Sequence, residues 1–121
     1  MKPSVKFMFE NDLIRFKELL LNKYLELRLD EIDLVLLMHL YQMEVSGNQF
    51  LSISELANKT SLELDNVADK VDLLVTKGFI SLDIIEVEGI AEERFSIFST
   101  LLKMMNHKEP KVVIDVKPLV D

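Results

Sequence analysis

The side chains best placed for chemistry are four cations, Lys59, Lys70, Lys77 and Arg94, and the carboxylates interleaved with them. In a DNA-binding reading these four would have to carry the phosphate contacts. Three lie in a stretch that reads as helix-turn-helix and the fourth on the hairpin after it, the elements with which many small domains grip duplex DNA. The carboxylates argue the other way. Asp65, Asp69 and Asp72 recur so that, at about 100° per residue, they share one side of a helix with Thr76. Facing a phosphate, one such like-charge contact at ~4 Å costs about 1 kcal/mol in water and roughly 4 at an effective dielectric of 20. The hairpin repeats the pattern, with Glu86, Glu88, Glu92 and Glu93 around its turn and Arg94 beside them. The four cations therefore offer DNA contacts that are weak or absent for this chain alone.

Other chemistries find less support. There is no cysteine, hence no disulfide and no thiolate site, which fits a reducing cytoplasm. The N-terminus has no signal-peptide core, and no run approaches the ~20 apolar residues of a membrane span. His39 stands alone on an apolar helix and reads as a packed or surface residue. Glu92 and Glu93 are adjacent, so a strand points them to opposite faces. No glycine-rich phosphate loop, HExxH or GxSxG pattern occurs. The six methionines fall on apolar faces and read as core filler. The expectation is a protein without metal or cofactor that is not an enzyme.

The elements that must position these residues follow from periodicity. Val5, Phe7 and Phe9 alternate with Lys6 and Met8, which predicts a short strand. Asn11 or Asp12 can cap a helix over 13–27, whose stripe of Leu13, Phe16, Leu20 and Tyr24 is widened by Ile14, Leu21 and Leu25. Asp30 caps a third element, Glu31 to Val45, apolar almost all round and so expected to be buried from both sides, with Leu37 in the core. Ser46 and Gly47 end it. Phe50 to Ile53 reads as a short strand or extended lead-in, and Ser52 with Glu55 forms a capping box for a helix over 53–58. After a turn, Val67, Val71, Leu74 and Val75 mark the inward face of a helix closed by Lys77 and Gly78. Alternation from Phe79 to Ile97 around Glu88-Gly89 predicts a β-hairpin. Ser99 or Thr100 is the expected cap of a last helix through Met105.

The fold class expected is α+β and mostly helical: a winged helix-turn-helix with an N-terminal strand and helix extension. Residues 1–28 are expected to form the extension, 29–106 the winged-helix domain, and 107–121 a linker or edge strand. At 121 residues the chain is long enough for one real core. Its formal net charge is −7, distributed unevenly. Residues 1–28 hold six bases and four acids, residues 50–78 three against five, and residues 79–100 one against five. The helix-turn-helix and hairpin are thus the acidic part, the reverse of a DNA-binding footprint.

The stretches LLLNKYLELRLDEIDLVLLMHLYQ, FLSISELANKTSLELDNVADKVDLLVTKGFISL and RFSIFSTLLKMM, taken in order, resemble the N-terminal domain of the DnaD family of primosomal replication proteins of low-GC Gram-positive bacteria. The likeness covers about residues 18–105. It rests on Leu19-Leu20-Leu21 with Tyr24, the Leu29-x-Glu31-x-Asp33-Leu34 helix start, and Lys77-Gly78-Phe79. The resemblance implies a scaffold in replication initiation or restart that self-associates through its N-terminal elements. It implies a homo-oligomer, dimer or tetramer, with initiator and helicase-loading proteins as partners. It also implies that residues 107–121 would lead toward an absent C-terminal domain. The surplus apolar surface near the N-terminus marks Val5, Phe7, Phe9, Leu13, Phe16, Leu20 and Tyr24 as the expected self-association surface. The alternative is a winged-helix transcription regulator that binds DNA through Lys59, Lys70, Lys77 and Arg94.

Overall fold

The computed structural model describes residues 4–47 and 52–106. Six helices and one two-stranded antiparallel sheet follow each other in the order α1 (Val5–Glu10), α2 (Phe16–Lys23), α3 (Glu31–Val45), α4 (Ile53–Asn58), α5 (Leu64–Thr76), β1 (Ser81–Val87), β2 (Ile90–Ser96) and α6 (Phe98–Asn106). The mostly helical α+β class is as expected.

The N-terminal strand is a helix instead. The Ser4 hydroxyl accepts from the Phe7 amide at 3.0 Å and starts a helical turn. Among the described residues the sheet is β1 and β2 alone, so this segment has no strand beside it to pair with. A helical period suits its side chains better than alternation does. Phe9 is fully buried and Phe7, about 200° away round the helix, faces outward. Phe9 stands edge-on to Phe16, Tyr41 and Phe98 at centroid distances of 5.5, 5.4 and 5.4 Å. Phe16 in turn stacks on Tyr41 at 4.6 Å. This aromatic cluster joins α1 and α2 to α3 and α6.

The second helix is also shorter than 13–27. Asp12 adopts a left-handed φ of 57°, and its carboxylate accepts from the Tyr41 hydroxyl instead of capping α2. Arg15 takes the N-cap position without a side-chain bond. After Lys23 the chain turns, Arg28 at φ 63°, and the Leu29 amide closes the turn on the Tyr24 carbonyl at 2.9 Å.

From α3 onward expectation and structure agree more closely. Asp30 caps α3, and Asp33 answers it: each carboxylate accepts the other's backbone amide, at 2.8 and 2.9 Å. Leu34, Leu36, Leu37, Leu40, Tyr41 and Met43 are buried, but Ile32 and Val35 are left exposed, so α3 is not covered all round. Gly47, at φ 82°, follows its end. Phe50 and Leu51, expected as strand or lead-in, lie outside the described residues. Ile53 already belongs to α4, whose Ser52–Glu55 capping box forms as expected. Val67, Val71 and Leu74 bury the inner face of α5. In the hairpin Val87 pairs with Ile90 across the Glu88-Gly89 turn. Both turn residues take positive φ, 51° and 81°, the conformation that matches the twist of the strands.

The last helix starts differently from expectation. Ser99 and Thr100 lie inside α6, and their hydroxyls donate to the Phe79 carbonyl at 2.9 and 2.7 Å. The expected caps thus tie α6 to the segment between α5 and β1. Residues 107–121 lie outside the described residues.

Candidate interaction surfaces

Of the seven N-terminal residues expected at a self-association surface, three are used inside the chain. Phe9, Phe16 and Leu20 are buried because the aromatic cluster and α6 close over them. Val5 and Tyr24 are half-buried, and the Tyr24 hydroxyl donates to Glu31 at 2.8 Å. That hydrogen bond raises the phenol above its ordinary pKa. Phe7 and Leu13 stay outside, joined by Leu21 and Leu25, all between 47% and 72% exposed. These four large apolar side chains of the N-terminal segment are exposed to solvent and available to a partner. The accessible set is therefore Phe7, Leu13, Leu21 and Leu25, and sequence periodicity alone could not separate it from the buried one.

The four cations are distributed in a way that weakens a phosphate-binding reading. Lys70 donates to Asp30 at 2.5 Å and lies 3.4 Å from Asp33. The pair holds Asp30 below its ordinary pKa, chiefly through the Lys70 hydrogen bond, and Lys70 above its own. Lys70 is thus a bracket between α5 and the start of α3. Arg94 lies on β2 opposite Asp83, and its charge also acts on Glu44. Lys59 and Lys77 are exposed, each at the C-terminal cap of a helix, α4 and α5, where a cation also suits the helix dipole. Asp65, Asp69 and Asp72 are exposed along the outer flank of α5, as their spacing predicts.

Glu44, which sequence reasoning passed over, holds two elements together. One carboxylate oxygen accepts from the Ile97 amide at 2.9 Å and the other from the Ser96 hydroxyl at 2.8 Å. It thereby fixes the end of β2 and the start of α6 to the last turn of α3. Burial pushes its carboxyl above the ordinary value, against the pull of those hydrogen bonds and of Arg94. A signal existed: an acid in the last turn of an apolar helix opposes the dipole and calls for a partner.

Two concavities border the turn between α4 and α5, one between α3 and α5 and the other between α3 and the turn itself. One, of about 360 Å³, is lined by Ile32, Leu62, Asn66, Asp69, Lys70 and Leu73. The other, of about 270 Å³, shares Ile32 and Leu62 and extends to Glu31, Val35, Thr60 and Ser61. On the hairpin, the register sets Leu82 opposite Phe95, and Leu82 and Ile84 are exposed. Among the described residues no group of three or more His, Cys, Asp or Glu side chains is arranged to hold a metal ion. Among them, too, no helix is long and apolar enough to cross a membrane.

The chain is similar to known proteins in both sequence and structure. The family model of the DnaD N-terminal domain matches residues 16–113. The crystal structure of the N-terminal domain of DnaD protein from Geobacillus kaustophilus HTA426 is 28% identical, covering 74% of this chain and 73% of that one with a TM-score of 0.59. No curated protein matches the chain.

Proposed function

The chain belongs to the DnaD N-terminal domain family, and from that premise we propose that it is the self-associating, protein-binding domain of a primosome component in DNA replication initiation or restart. In this reading α3, the α4–turn–α5 unit and the hairpin form a winged helix, and α1 with α2 is the added association module. The protein works in the cytoplasm as a dimer or tetramer. Its partners are the replication initiator and helicase-loading proteins, and it performs no catalysis.

The observation that carries the reading is the division of labour in the N-terminal segment. Phe9, Phe16 and Leu20 anchor the segment to the core, while Phe7, Leu13, Leu21 and Leu25 are turned outward. Covering such side chains with a second copy removes apolar area from water at about 25 cal/mol per Å². The acidic flank of α5 supports a protein partner over DNA, because Asp65, Asp69 and Asp72 would meet phosphates at close range.

Sedimentation velocity, with and without duplex DNA, tests both parts. The expected result is a dimer or tetramer whose sedimentation does not change when duplex is added at moderate salt. A monomer at tens of micromolar sinks the proposal. Duplex binding that falls steeply with salt favours the alternative, a winged-helix transcription regulator that uses Lys59 and Lys77.

A further inference from the structure

We propose that the groove between α3 and α5 is a docking site for a short cationic amphipathic helix of a partner protein. This rests on the protein-binding part of the reading above and does not depend on self-association. Three features carry it.

The first is continuity. The two concavities are neighbours that share Ile32 and Leu62, and their linings together run from Val35 on α3 past Leu62 to Leu73 on α5. Their apolar residues come from three separate elements, and Ile32, Val35 and Leu73 are exposed although α3 is otherwise the most buried helix of the domain. A trough of this kind takes the apolar stripe of a helix, with anchors at i, i+3 or i+4, and i+7.

The second is charge. Glu31 and Asp69 line the trough. Asp69 continues along α5 into Asp65, one turn before, and Asp72, three residues on, both exposed. Lys70, the cation in the lining, is already engaged by Asp30 and Asp33. The rim is therefore acidic and matches lysine or arginine flanking the apolar anchors of a partner helix.

The third is that charge disfavours the occupants nearest to hand. A second copy of a chain with net charge −7 brings mostly acid to an acidic rim. The chain's own residues 107–121 set Lys108, Lys111 and Lys117 against Glu109, Asp115 and Asp121 and offer no net charge to match it.

A displayed library of random 14-residue peptides, selected against the full chain, provides the test. Selected peptides are re-measured by fluorescence anisotropy on wild type, Leu73→Ser and Asp69→Lys, at two salt concentrations. The expected outcome is enrichment of peptides with apolar residues at helical spacing and lysine or arginine beside them. Their binding should weaken at least fivefold in each variant and at the higher salt. Leu73 and Asp69 are exposed, so both variants are expected to fold, and circular dichroism checks this. Selection of acidic or neutral peptides, or equal binding to the variants, overturns the proposal. So does displacement of the selected peptides by a free peptide of residues 107–121, or a change of oligomeric state in Leu73→Ser, which would give the groove to the tail or to a second copy. Sedimentation of the same samples separates failure here from failure of the self-association proposal.

Discussion

Phe7 and Phe9 lie two residues apart, and replacing each with alanine separates a helical α1 from a strand. A strand puts both rings on one face and makes their losses similar. The helix puts them on opposite sides, and the structure gives them opposite roles. Phe9 is fully buried and contacts the rings of Phe16, Tyr41 and Phe98. Phe9→Ala should therefore cost about 3–5 kcal/mol, the range for emptying a buried phenylalanine site. That is a large part of the roughly 5–15 kcal/mol that holds a domain folded. At about 4 °C per kcal/mol for a chain of this length, Tm should fall by about 12–20 °C. Phe7→Ala removes a half-exposed ring and should change the stability of the protomer by less than ~0.5 kcal/mol, while weakening self-association. Urea denaturation followed by far-ultraviolet circular dichroism measures the first effect. It must be run at several protein concentrations, because association adds apparent stability by mass action. Sedimentation velocity measures the second. A loss below about 1 kcal/mol for Phe9→Ala, or equal losses for both variants, would refute the buried-helix account of α1.

Two further perturbations probe the tethers. Glu44→Ala strands the buried Ile97 amide and should cost about 1–3 kcal/mol. Glu44→Gln keeps one acceptor and should cost less, as urea midpoints will show. Burial raises the Glu44 carboxyl in the folded state, so the folded protein holds its proton at a pH where the unfolded chain has released it. Its contribution to stability is then full below the unfolded value and lost as pH rises through the folded one; the Gln variant should lack that slope. Asp30→Ala removes the α3 cap and the Lys70 partner and should cost about 1–2 kcal/mol. The Lys70 hydrogen bond lowers the Asp30 pKa, so the wild-type contribution is present above the unfolded value and lost as pH falls through the folded one. A thermal-unfolding series in acid that gives wild type and Asp30→Ala the same slope would contradict this.

What could be read from residues alone was local. Helix starts at Asp30 and Ser52, the inner face of α5 and the Glu88-Gly89 hairpin turn depend on side chains a few positions apart, and each formed as its spacing predicts. The acid flank of Asp65, Asp69 and Asp72 was legible for the same reason. What failed was wherever a local rule had two answers. Val5 to Phe9 satisfies both a strand and a helical period over so few residues, and the Ser4 cap with the packing of Phe9 on Phe16, Tyr41 and Phe98 goes with the helix. Asp12 suits a cap as well as it suits Tyr41, and the tertiary partner wins. Ser99 and Thr100 could cap α6 or bond Phe79, and the approach of that carbonyl decides.

The candidate surfaces belong to the same class. Composition and pattern determined that this chain folds around an apolar core, that the stretch from α4 through the hairpin is acidic and that apolar residues are in surplus near the N-terminus. Only the tertiary structure decided which of them are spent inward, because burial depends on what packs from elsewhere in the chain. It divided Phe9, Phe16 and Leu20 from Phe7, Leu13, Leu21 and Leu25. It drew Lys70 away from any ligand into the carboxylates at the start of α3, forty residues back in sequence. It left Ile32 and Val35 exposed on a helix whose composition demanded burial on every side, where they line the concavities beside α5 and the α4–α5 turn.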